Sequence, residues 1–286
     1  MKNGTVLLIG RPNVGKSTFL NNLIGQKVAI TSPKPQTTRF PIQALYEDER
    51  GQIIFVDTPG ILDRTKDALA KQINIQTEHA IKDTIDVVLY MVDHTRRRDF
   101  EEGKVLGIVR KIQKPKILVI NKIDLDEKTY LPQYEFLKDE FPHVFKISAL
   151  NKTHVKPLMD KVFDLLPAGN KRTDNKSVYP LLNIDSHTFL AELIREKVFL
   201  KTGQEIPYTT TVVIDEVTER SDSLTYIKAR ILTNNARYKK MLIGRKGEKI
   251  KLLGSMARKE LELATGRKVY LELTVETDPH WARVLG

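Results

Sequence analysis

Four short motifs stand in a fixed order within the first 150 residues of this chain, each after an apolar run that predicts a buried strand. They read GRPNVGKS from Gly10, DTPG from Asp57, NKID from Asn121 and SAL from Ser148. The first is a phosphate-binding loop, the second is suited to sensing a γ-phosphate, and the last two are suited to reading guanine. One such string arises by chance, whereas four in this order predict a GTP-binding domain with an α/β fold.

The overall composition sets the broad class. The chain has 286 residues, of which 41% are hydrophobic and 29% charged, as in ordinary globular proteins, and this length favours two domains. It has no cysteine, which excludes disulfides and thiolate metal sites and is compatible with a reducing cytoplasm. We expect no signal peptide, because the apolar stretch in MKNGTVLLIG is short, and no transmembrane segment, because no apolar run could cross a bilayer.

Positive charge is concentrated in one part of the chain. The formal net charge of +11 is typical of proteins that bind nucleic acid, the ribosome or an anionic membrane surface, and a generally basic composition is the less favoured alternative. The stretch Arg237–Lys251 holds seven basic residues against the single acid Glu248. This local excess indicates a phosphate-binding surface in that stretch.

Strands and helices alternate over the first part of the chain, which predicts a mostly parallel sheet with helices on both faces. Strands are expected at Thr5–Ile9, Ile53–Val56, Val87–Val92, Ile117–Ile120 and Val144–Ile147. Helices are expected at Gly15–Ile24, Leu69–Lys82, Glu101–Lys111, Leu131–Glu140 and Val155–Leu166. Ligands of such sheets bind at the carboxyl ends of the strands, where all four motifs fall.

A second pattern follows Pro167, which ends the last of these helices. We therefore expect a GTP-binding domain at 1–167, a polar and aperiodic linker at 168–180, and a second domain at 181–286. The order expected in the second domain is α-β-β-α-α-β. Its elements are predicted at Ser186–Lys201, Tyr208–Val217, Leu224–Leu232, Asn235–Ile243, Glu248–Ala264 and Lys268–Val275.

The phosphate loop fits G-x-x-x-x-G-K-[ST] in full. Its glycines let the backbone wrap around a β-phosphate, which then faces successive N–H groups and a helix N-terminus. Lys16 is expected between the β- and γ-phosphates, and the Ser17 hydroxyl is expected to ligate Mg²⁺. A plain glycine-containing turn is the alternative, and the Lys-Ser ending argues against it. The predicted nucleotide-binding residues of the loop are Gly10, Arg11, Pro12, Asn13, Val14, Gly15, Lys16, Ser17 and Thr18.

Further groups are expected around the γ-phosphate and the metal. Asp57 ends a strand and should reach the same Mg²⁺ through water, while Gly60 lacks a Cβ and can bring its N–H against the γ-phosphate. The third metal ligand should come from the loop-forming segment 31–39, which offers Thr37 and Thr38, and we favour Thr38. Taken alone, DTPG is also a common turn and 31–39 an ordinary surface loop. The predicted catalytic residues are Lys16, Thr38 and Gly60, and the predicted metal ligands are Ser17, Thr38 and Asp57.

Guanine recognition is assigned to the NKID and SAL motifs. The Asp124 carboxylate can accept hydrogen bonds from guanine N1–H and the 2-amino group, two donors that adenine lacks. Asn121 braces the site, the aliphatic stem of Lys122 covers the base, and Ala149 donates its N–H to guanine O6. A helix start is the alternative explanation for N-K-x-D alone. The predicted residues of this site are Asn121, Lys122, Asp124, Ser148, Ala149 and Leu150.

The segment Ile243-Gly-Arg-Lys-Gly-Glu248 places a G-x-x-G between two predicted helices. Two glycines permit close approach of a nucleic-acid backbone, as in the loop that clamps four nucleotides in KH domains. A lone G-x-x-G is usually a helix turn. Here the basic run, the element order and the apolar stripe Ile250, Leu253, Met256 and Leu261 favour an α+β KH domain of type II that binds single-stranded RNA. The predicted RNA-binding residues are Lys239, Lys240, Ile243, Gly244, Arg245, Lys246, Gly247, Lys249 and Lys251.

Taken together, these residues resemble the Era family of bacterial GTPases. The likeness rests on GRPNVGKSTFLN, SPKPQTTR, DTPGI, NKID, SAL and IGRKG, together with the segment Phe189–Glu216, and it covers nearly the whole chain. It implies Mg²⁺-dependent hydrolysis of GTP to GDP and phosphate, and recognition of the 3′ end of small-subunit ribosomal RNA. It further implies a role in 30S subunit assembly and a cytoplasmic location, with peripheral association at the inner face of the cell membrane.

The resemblance bears on three details. Ile61 follows the switch motif, where Ras-like GTPases carry the glutamine that orients water, so hydrolysis should be slow and use another device. In the wider group with a hydrophobic residue there, the asparagine that matches Asn13 can bind K⁺ near the phosphates. Phe40-Pro41 and Thr95–Arg98 depart from the usual family pattern and leave the contacts of the switch segment open.

Two other interpretations stay open. The second domain could dock a protein or a membrane without RNA specificity, or the chain could be an RNA chaperone in which nucleotide is only structural. The basic G-x-x-G argues against the first of these. The intact Lys16, Ser17 and Asp57 argue against the second.

Overall fold

Two structural units make up the chain, Met1–Asn183 and Ile184–Gly286. The computed structural model describes residues 1–34, 37, 39, 41–59, 85–126, 129–169 and 186–281. Its helices and strands are numbered in chain order. The predicted helix Leu69–Lys82 lies outside the described residues, as does most of the predicted linker 168–180.

A six-stranded sheet forms the centre of the first unit, with the strand order β2-β3-β1-β4-β5-β6. Every neighbouring pair is parallel except β2 and β3, so the predicted mostly parallel sheet is confirmed. The sequence does not predict β2, because polar residues interrupt its apolar ones and Pro41 stands directly before it. The strands are β1 (Lys2–Ile9), β2 (Ile42–Asp48), β3 (Gly51–Asp57), β4 (Val87–Asp93), β5 (Lys116–Asn121) and β6 (His143–Lys146).

Three helices follow strands of this sheet, at bounds close to those predicted. They are α1 (Lys16–Ile24), α2 (Phe100–Lys111) and α3 (Val155–Leu165). The start of α2 is capped by Asp99, whose carboxylate accepts a hydrogen bond of 3.0 Å from the N–H of Glu102. This bond satisfies one of the free donors at the helix start.

The helix predicted at Leu131–Glu140 is present at Leu131–Asp139, as a 3₁₀ helix and not an α-helix. Pro132 at its start removes a backbone donor. Tyr134 and Leu137 are both buried, and the three residues per turn of a 3₁₀ helix place one directly above the other. The tighter helix therefore buries both side chains on a single narrow face.

The central strands bury side chains on both faces. Val6 and Leu8 of β1 join a core with Phe19 of α1, whereas Leu7 joins a second core with Val105 of α2. Successive side chains of a strand point to opposite faces, so a strand covered on both sides has a continuous apolar sequence. The strand that leads into the phosphate loop is thus packed from both sides.

The end of the first unit returns to the start of β1. The carbonyl oxygen of Pro167 accepts a 3.1 Å hydrogen bond from the N–H of Asn3. Ala168 forms an isolated antiparallel bridge with Lys2, and the N–H of Gly169 donates to the carbonyl oxygen of Met1 at 3.1 Å. These bonds lie at the amino end of β1, away from the edge that carries the four motifs.

The second unit has the predicted order α-β-β-α-α-β around a three-stranded sheet, β7-β8-β9. Strands β7 and β8 are antiparallel, and β8 and β9 are parallel. Helix α4 packs against β7 and α6, and α6 packs against β9. Among the described residues, the search for a helix with the length and apolar content of a membrane span finds none. The elements are α4 (Ser186–Lys201), β7 (Thr210–Ser221), β8 (Leu224–Thr233), α5 (Ala236–Ile243), α6 (Glu248–Thr265) and β9 (Lys268–Thr277).

Candidate nucleotide and nucleic-acid sites

The sheet brings the four motifs to one edge. The phosphate loop follows β1, Asp57 ends β3, Asn121 ends β5, and Ser148 follows β6 after one intervening residue. Because β1, β3, β4, β5 and β6 run in the same direction, their carboxyl ends share an edge. Segments that are far apart in the sequence therefore meet there, and hydrogen bonds join them directly.

The phosphate loop closes around the side chain of its own lysine. Lys16 is buried, and its Nζ donates hydrogen bonds of 3.1 Å to the carbonyl oxygens of Gly10 and Arg11. Burial lowers the pKa of Lys16, while the charges of Asp57 and Glu102 oppose that shift. The ammonium group is therefore held inside the loop, at the position from which it would meet a phosphate.

Two glycines of the loop are required by their neighbours. A Cβ on Gly15 would lie 2.1 Å from Nδ2 of Asn121, and one on Gly10 would lie 2.3 Å from the carbonyl oxygen of Met91. Gly15 also has a φ of +104°, in the region that favours glycine. Any side chain at these positions would push the loop away from the strands that hold it.

The predicted metal ligands Ser17 and Asp57 lie side by side. The Ser17 hydroxyl donates a 2.6 Å hydrogen bond to Oδ2 of Asp57. The other oxygen, Oδ1, is buried and has no hydrogen-bond partner among the described residues. Burial raises the pKa of Asp57, whereas Lys16 and the Ser17 hydrogen bond oppose that shift. A buried carboxylate oxygen without a partner, next to a hydroxyl, fits the oxygen ligands that Mg²⁺ prefers.

The predicted residues around the γ-phosphate are only partly described. Thr38 and Gly60 lie outside the described residues, as does Ile61. Thr37 is buried, and its hydroxyl donates to the carbonyl oxygen of Lys34 at 2.7 Å and lies 2.6 Å from the Ser32 hydroxyl. The Thr37 hydroxyl thus has partners inside its own loop, and the choice of Thr38 stays a prediction.

Asn121 joins the phosphate loop to the SAL motif. Its Nδ2 donates to the carbonyl oxygen of Val14 at 2.7 Å, and its Oδ1 accepts from the N–H of Ala149 at 2.9 Å. The Ala149 N–H, predicted to donate to guanine O6, donates to Asn121 in this structure. Ser148 is buried and its hydroxyl accepts from the N–H of Asn151 at 3.0 Å, whereas Leu150 is exposed.

The two other predicted site residues of NKID, Lys122 and Asp124, follow β5 at the same edge of the sheet. Lys122 has a φ of +70°, and its Nζ forms a 2.6 Å ion pair with Oδ2 of Asp93. Oδ1 of Asp124 is buried without a hydrogen-bond partner among the described residues, so an acceptor is present for the predicted guanine contact. Sequence reasoning missed Asp93, although its place at the carboxyl end of β4 was a usable signal.

The side chain of Arg11 points away from the phosphate site. It is fully buried and forms ion pairs of 2.7 Å with Asp99 and 2.6 Å with Glu102. Glu102 is also buried and accepts a hydrogen bond from the Tyr90 hydroxyl. Burial raises the pKa of Glu102, although Arg11 and Tyr90 oppose that shift. Only the backbone of Arg11 is therefore placed for phosphate binding, and its side chain braces the loop from behind.

The remaining loop residues differ in their contacts. Asn13 has a φ of +65°, and its Nδ2 donates to the carbonyl oxygen of Pro33 at 2.7 Å. Pro12 and Val14 are buried, and Thr18 is half-buried. The asparagine side chain thus links the phosphate loop to the loop-forming segment 31–39.

The G-x-x-G loop joins α5 to α6 in the second unit. Gly244, Lys246 and Gly247 have φ values of +75°, +49° and +77°. A Cβ on Gly244 would lie 2.7 Å from Cβ of Lys249, whereas one on Gly247 would meet nothing within 4 Å. Gly244 is therefore needed for packing against Lys249, while Gly247 borders open space.

Basic side chains surround this loop without acidic partners. Among the described residues, none of the seven from Arg237 to Lys251 forms an ion pair. Arg245, Lys246, Lys240 and Lys251 are exposed, and Lys239, Ile243 and Lys249 are half-buried. Of the predicted apolar stripe, Leu253 and Leu261 are buried, whereas Ile250 and Met256 are half-buried. The charges are therefore available to an anionic partner.

The fold and these two sites define a P-loop GTPase with a C-terminal KH domain. Residues 5–122 match a family model described as a 50S ribosome-binding GTPase, and residues 205–282 match a KH domain model. The chain is 40% identical to the GTPase Era of Halothermothrix orenii, over 98% of this chain and 94% of that protein. It is also 40% identical to the GTPase Era of Trichlorobacter lovleyi, with the same coverage. The chain belongs to the Era family of GTPases.

Two solved structures of Era resemble the whole chain. One is a variant of Aquifex aeolicus Era bound to GDP and AlF4⁻, and the other is Era in complex with MgGDPNP and nucleotides 1506–1542 of 16S ribosomal RNA. Each is 34% identical, covers 99% of this chain and 96% of its own, and superposes with a TM-score of 0.90. The likeness therefore includes both units.

Proposed function

We propose that this GTPase binds the 3′ end region of small-subunit ribosomal RNA through its KH domain and acts in assembly of the 30S subunit. The observation that carries the proposal is the G-x-x-G loop, with its basic residues free of acidic partners in the described part of the chain, in the same protein as the phosphate loop. The Era complex with a 16S ribosomal RNA segment supports the choice of RNA. In this proposal the domains are 1–167 and 181–286, joined by a linker at 168–180.

The proposed nucleotide is GTP or GDP with Mg²⁺. Ser17, Asp57 and Thr38 would hold the metal, and the 2.6 Å contact between the first two supports that pairing. When bound, Mg²⁺ neutralises charge on the β- and γ-phosphate oxygens. Lys16 would add a second positive charge there, and Gly60 would donate its N–H to the γ-phosphate. The chain's own contribution is thus to position the phosphates and stabilise charge.

Guanine selectivity would depend on Asp124. Its Oδ1, which has no partner among the described residues, supports a role as acceptor for two donors that only guanine presents. Asn121 would brace the site and Lys122 would cover the base, with its ammonium held by Asp93. Adenine would leave the carboxylate without partners, so ATP should be rejected.

RNA binding would involve the exposed side of the G-x-x-G loop. Gly247 borders open space, which would let an RNA backbone pass close to the loop. Arg245 and Lys246 would contact phosphates, with further charge from Lys239, Lys240, Lys249 and Lys251. Ile243 and the half-buried Ile250 and Met256 would offer apolar contacts to unstacked bases.

Two finer proposals concern a cation and a location. Nδ2 of Asn13 donates to the carbonyl oxygen of Pro33, which places the amide beside the segment 31–39, and we propose that its Oδ1 ligates K⁺ near the phosphates. Replacing K⁺ by Na⁺ should then slow turnover more in the wild type than in Asn13→Ala.

We also propose a cytoplasmic location with peripheral membrane association, which the net charge of +11 supports. Sedimentation with anionic vesicles tests the association.

A filter-binding comparison tests the proposed function. A 3′-terminal fragment of small-subunit ribosomal RNA should bind more tightly than a scrambled RNA of equal length, and a non-hydrolysable GTP analogue should change the affinity. Lys16→Ala is the matched control, because it should remove the effect of the analogue and leave RNA binding intact. Equal binding of both RNAs would instead favour a second domain that docks protein or membrane.

A further inference from the structure

An arginine outside the four motifs contacts the phosphate loop. Arg96 lies between β4 and α2, and its Nη1 donates a 2.9 Å hydrogen bond to the carbonyl oxygen of Pro12. The side chain is half-buried, so this contact is partly shielded from water. A cationic donor thus reaches the backbone of the loop from a segment that the motif pattern does not include.

The segment that carries Arg96 is held in place at several points. Oδ1 of Asp93 accepts hydrogen bonds from the N–H and hydroxyl of Thr95, at 2.9 and 2.7 Å, while its Oδ2 pairs with Lys122. The Tyr134 hydroxyl donates to the carbonyl oxygen of Arg96 at 3.2 Å. The backbone of Arg96 is therefore fixed, and its guanidinium is presented from a rigid support.

The phosphate loop in turn holds the same segment. Nη1 of Arg11 donates to the carbonyl oxygen of Arg97 at 3.2 Å and pairs with Asp99 at 2.7 Å. Contacts therefore run in both directions between the phosphate loop and residues 96–99. The phosphate loop and residues 96–99 thus hold each other in place.

Holding the Pro12 carbonyl also fixes the next N–H. The Pro12–Asn13 peptide is trans, and in a trans peptide the C=O and N–H point in opposite directions. Arg96 therefore directs the N–H of Asn13 to the other side of the peptide. A cation on the carbonyl also polarises the peptide and strengthens its N–H as a donor. The φ of +65° at Asn13 is uncommon outside glycine and persists where the surroundings enforce it.

We propose that Arg96 is a positioning residue for GTP hydrolysis that acts through the Pro12–Asn13 peptide. It holds and polarises the Asn13 N–H toward phosphate oxygens on which negative charge increases in the transition state. The inference rests on the proposed phosphate site. Because the added charge exists mainly in the transition state, kcat should fall more than the affinity for GDP when Arg96 is removed.

Three variants test this assignment in the full-length protein. Arg96→Ala should lower kcat for GTP by about tenfold, less than the loss of a direct donor to the reacting oxygens, while the Kd for GDP changes by less than about threefold. Arg96→Lys keeps a cationic donor and should recover a large part of kcat. Arg97→Ala is the matched control, because its side chain is exposed and has no hydrogen bond or ion pair with the described residues, and it should keep wild-type kcat.

Two results would overturn the inference. One is a kcat for Arg96→Ala equal to that of Arg97→Ala. The other is an equal loss of kcat and GDP affinity with no recovery in Arg96→Lys, which would indicate a merely structural role. Lys16→Ala, assayed in parallel, distinguishes an error in the role of Arg96 from an error in the proposed phosphate site. Turnover by Lys16→Ala would overturn both, whereas an inactive Lys16→Ala beside a fully active Arg96→Ala overturns the role of Arg96 alone.

Discussion

Nδ2 of Asn121 lies 2.7 Å from the carbonyl oxygen of Val14, and this hydrogen bond joins the guanine motif to the phosphate loop. The same side chain accepts the N–H of Ala149 through Oδ1. Asn121 is buried, so both bonds are sheltered from water. The motifs predicted to read the base and to hold the phosphates therefore share one brace.

Replacing Asn121 by alanine should weaken both the fold and nucleotide binding. The change leaves the Val14 carbonyl and the Ala149 N–H without their partner, and a buried unsatisfied group costs about 1–3 kcal/mol. We expect a lower melting temperature and a loss of GDP affinity of about tenfold or more, measured by thermal unfolding and calorimetry. Asn151→Ala, which removes an exposed amide, is the control. Equal behaviour of the two variants would contradict the brace.

Replacing Asp124 by asparagine should change the choice of base. One acceptor oxygen becomes a donor that faces a guanine donor, so GTP affinity should fall by about 100-fold. Xanthosine triphosphate carries a C2 carbonyl in place of the amino group and should lose far less. Nucleotide titrations with GTP, ATP and xanthosine triphosphate measure this. Equal turnover of ATP and GTP by the unchanged protein would rule out the guanine assignment.

Asp93→Asn should make the melting temperature of the protein fall less steeply as the pH is lowered. Burial alone would raise the pKa of Asp93, but hydrogen bonds from Lys122 and Thr95 outweigh it and hold the pKa below its ordinary value of 3.8. A carboxylate with a depressed folded-state pKa stabilises the fold above its unfolded pKa, and this contribution is lost as pH falls through the folded pKa. Melting temperatures between about pH 5 and pH 3 should therefore fall more steeply in the wild type than in Asp93→Asn. The exposed Asp139→Asn should follow the wild type.

Local sequence patterns predicted most of the fold and the grouping of the four motifs at one edge of the sheet. Apolar runs and turn residues indicated the parallel strands and the α-β-β-α-α-β order, because those signals act over a few neighbouring residues. The contacts of Arg11 with Glu102 and of Asp93 with Lys122 join positions far apart in the sequence, and no local period encodes them. The sequence predicted a helix near Leu131–Asp139 but not its 3₁₀ form, because apolar residues three apart share a face of either kind of helix.

Gly247→Asp should abolish RNA binding and leave GTP binding intact. The change puts a negative side chain at the open side of the G-x-x-G loop, where phosphates would have to pass. Gly266→Asp is a close control, because Gly266 lies at the other end of α6 with a φ of +67° and open space around it. Filter binding with the ribosomal RNA fragment and nucleotide calorimetry measure both properties. Unchanged RNA affinity in Gly247→Asp would mean that the second unit is not a working KH domain.

Arg245→Ala and Lys246→Ala should have milder effects. Each removes a charge that is proposed to contact phosphate and leaves the loop backbone unchanged. The slope of log affinity against log salt should fall by about one for each phosphate that the variant no longer neutralises. Binding titrations over a range of salt concentrations measure the slope. A slope equal to that of the wild type would show that these side chains do not contact the RNA backbone.

The bonds that join residues 167–169 to the start of β1 determine where the protein can be cut in two. A fragment that stops at Leu166 would lose the hydrogen bond from Asn3 to Pro167 and the bridge between Lys2 and Ala168, and would hold the start of β1 through its pairing with β3. A fragment that extends through Gly169 keeps these bonds. For an isolated nucleotide-binding half, the safe boundary therefore lies a few residues beyond the last helix.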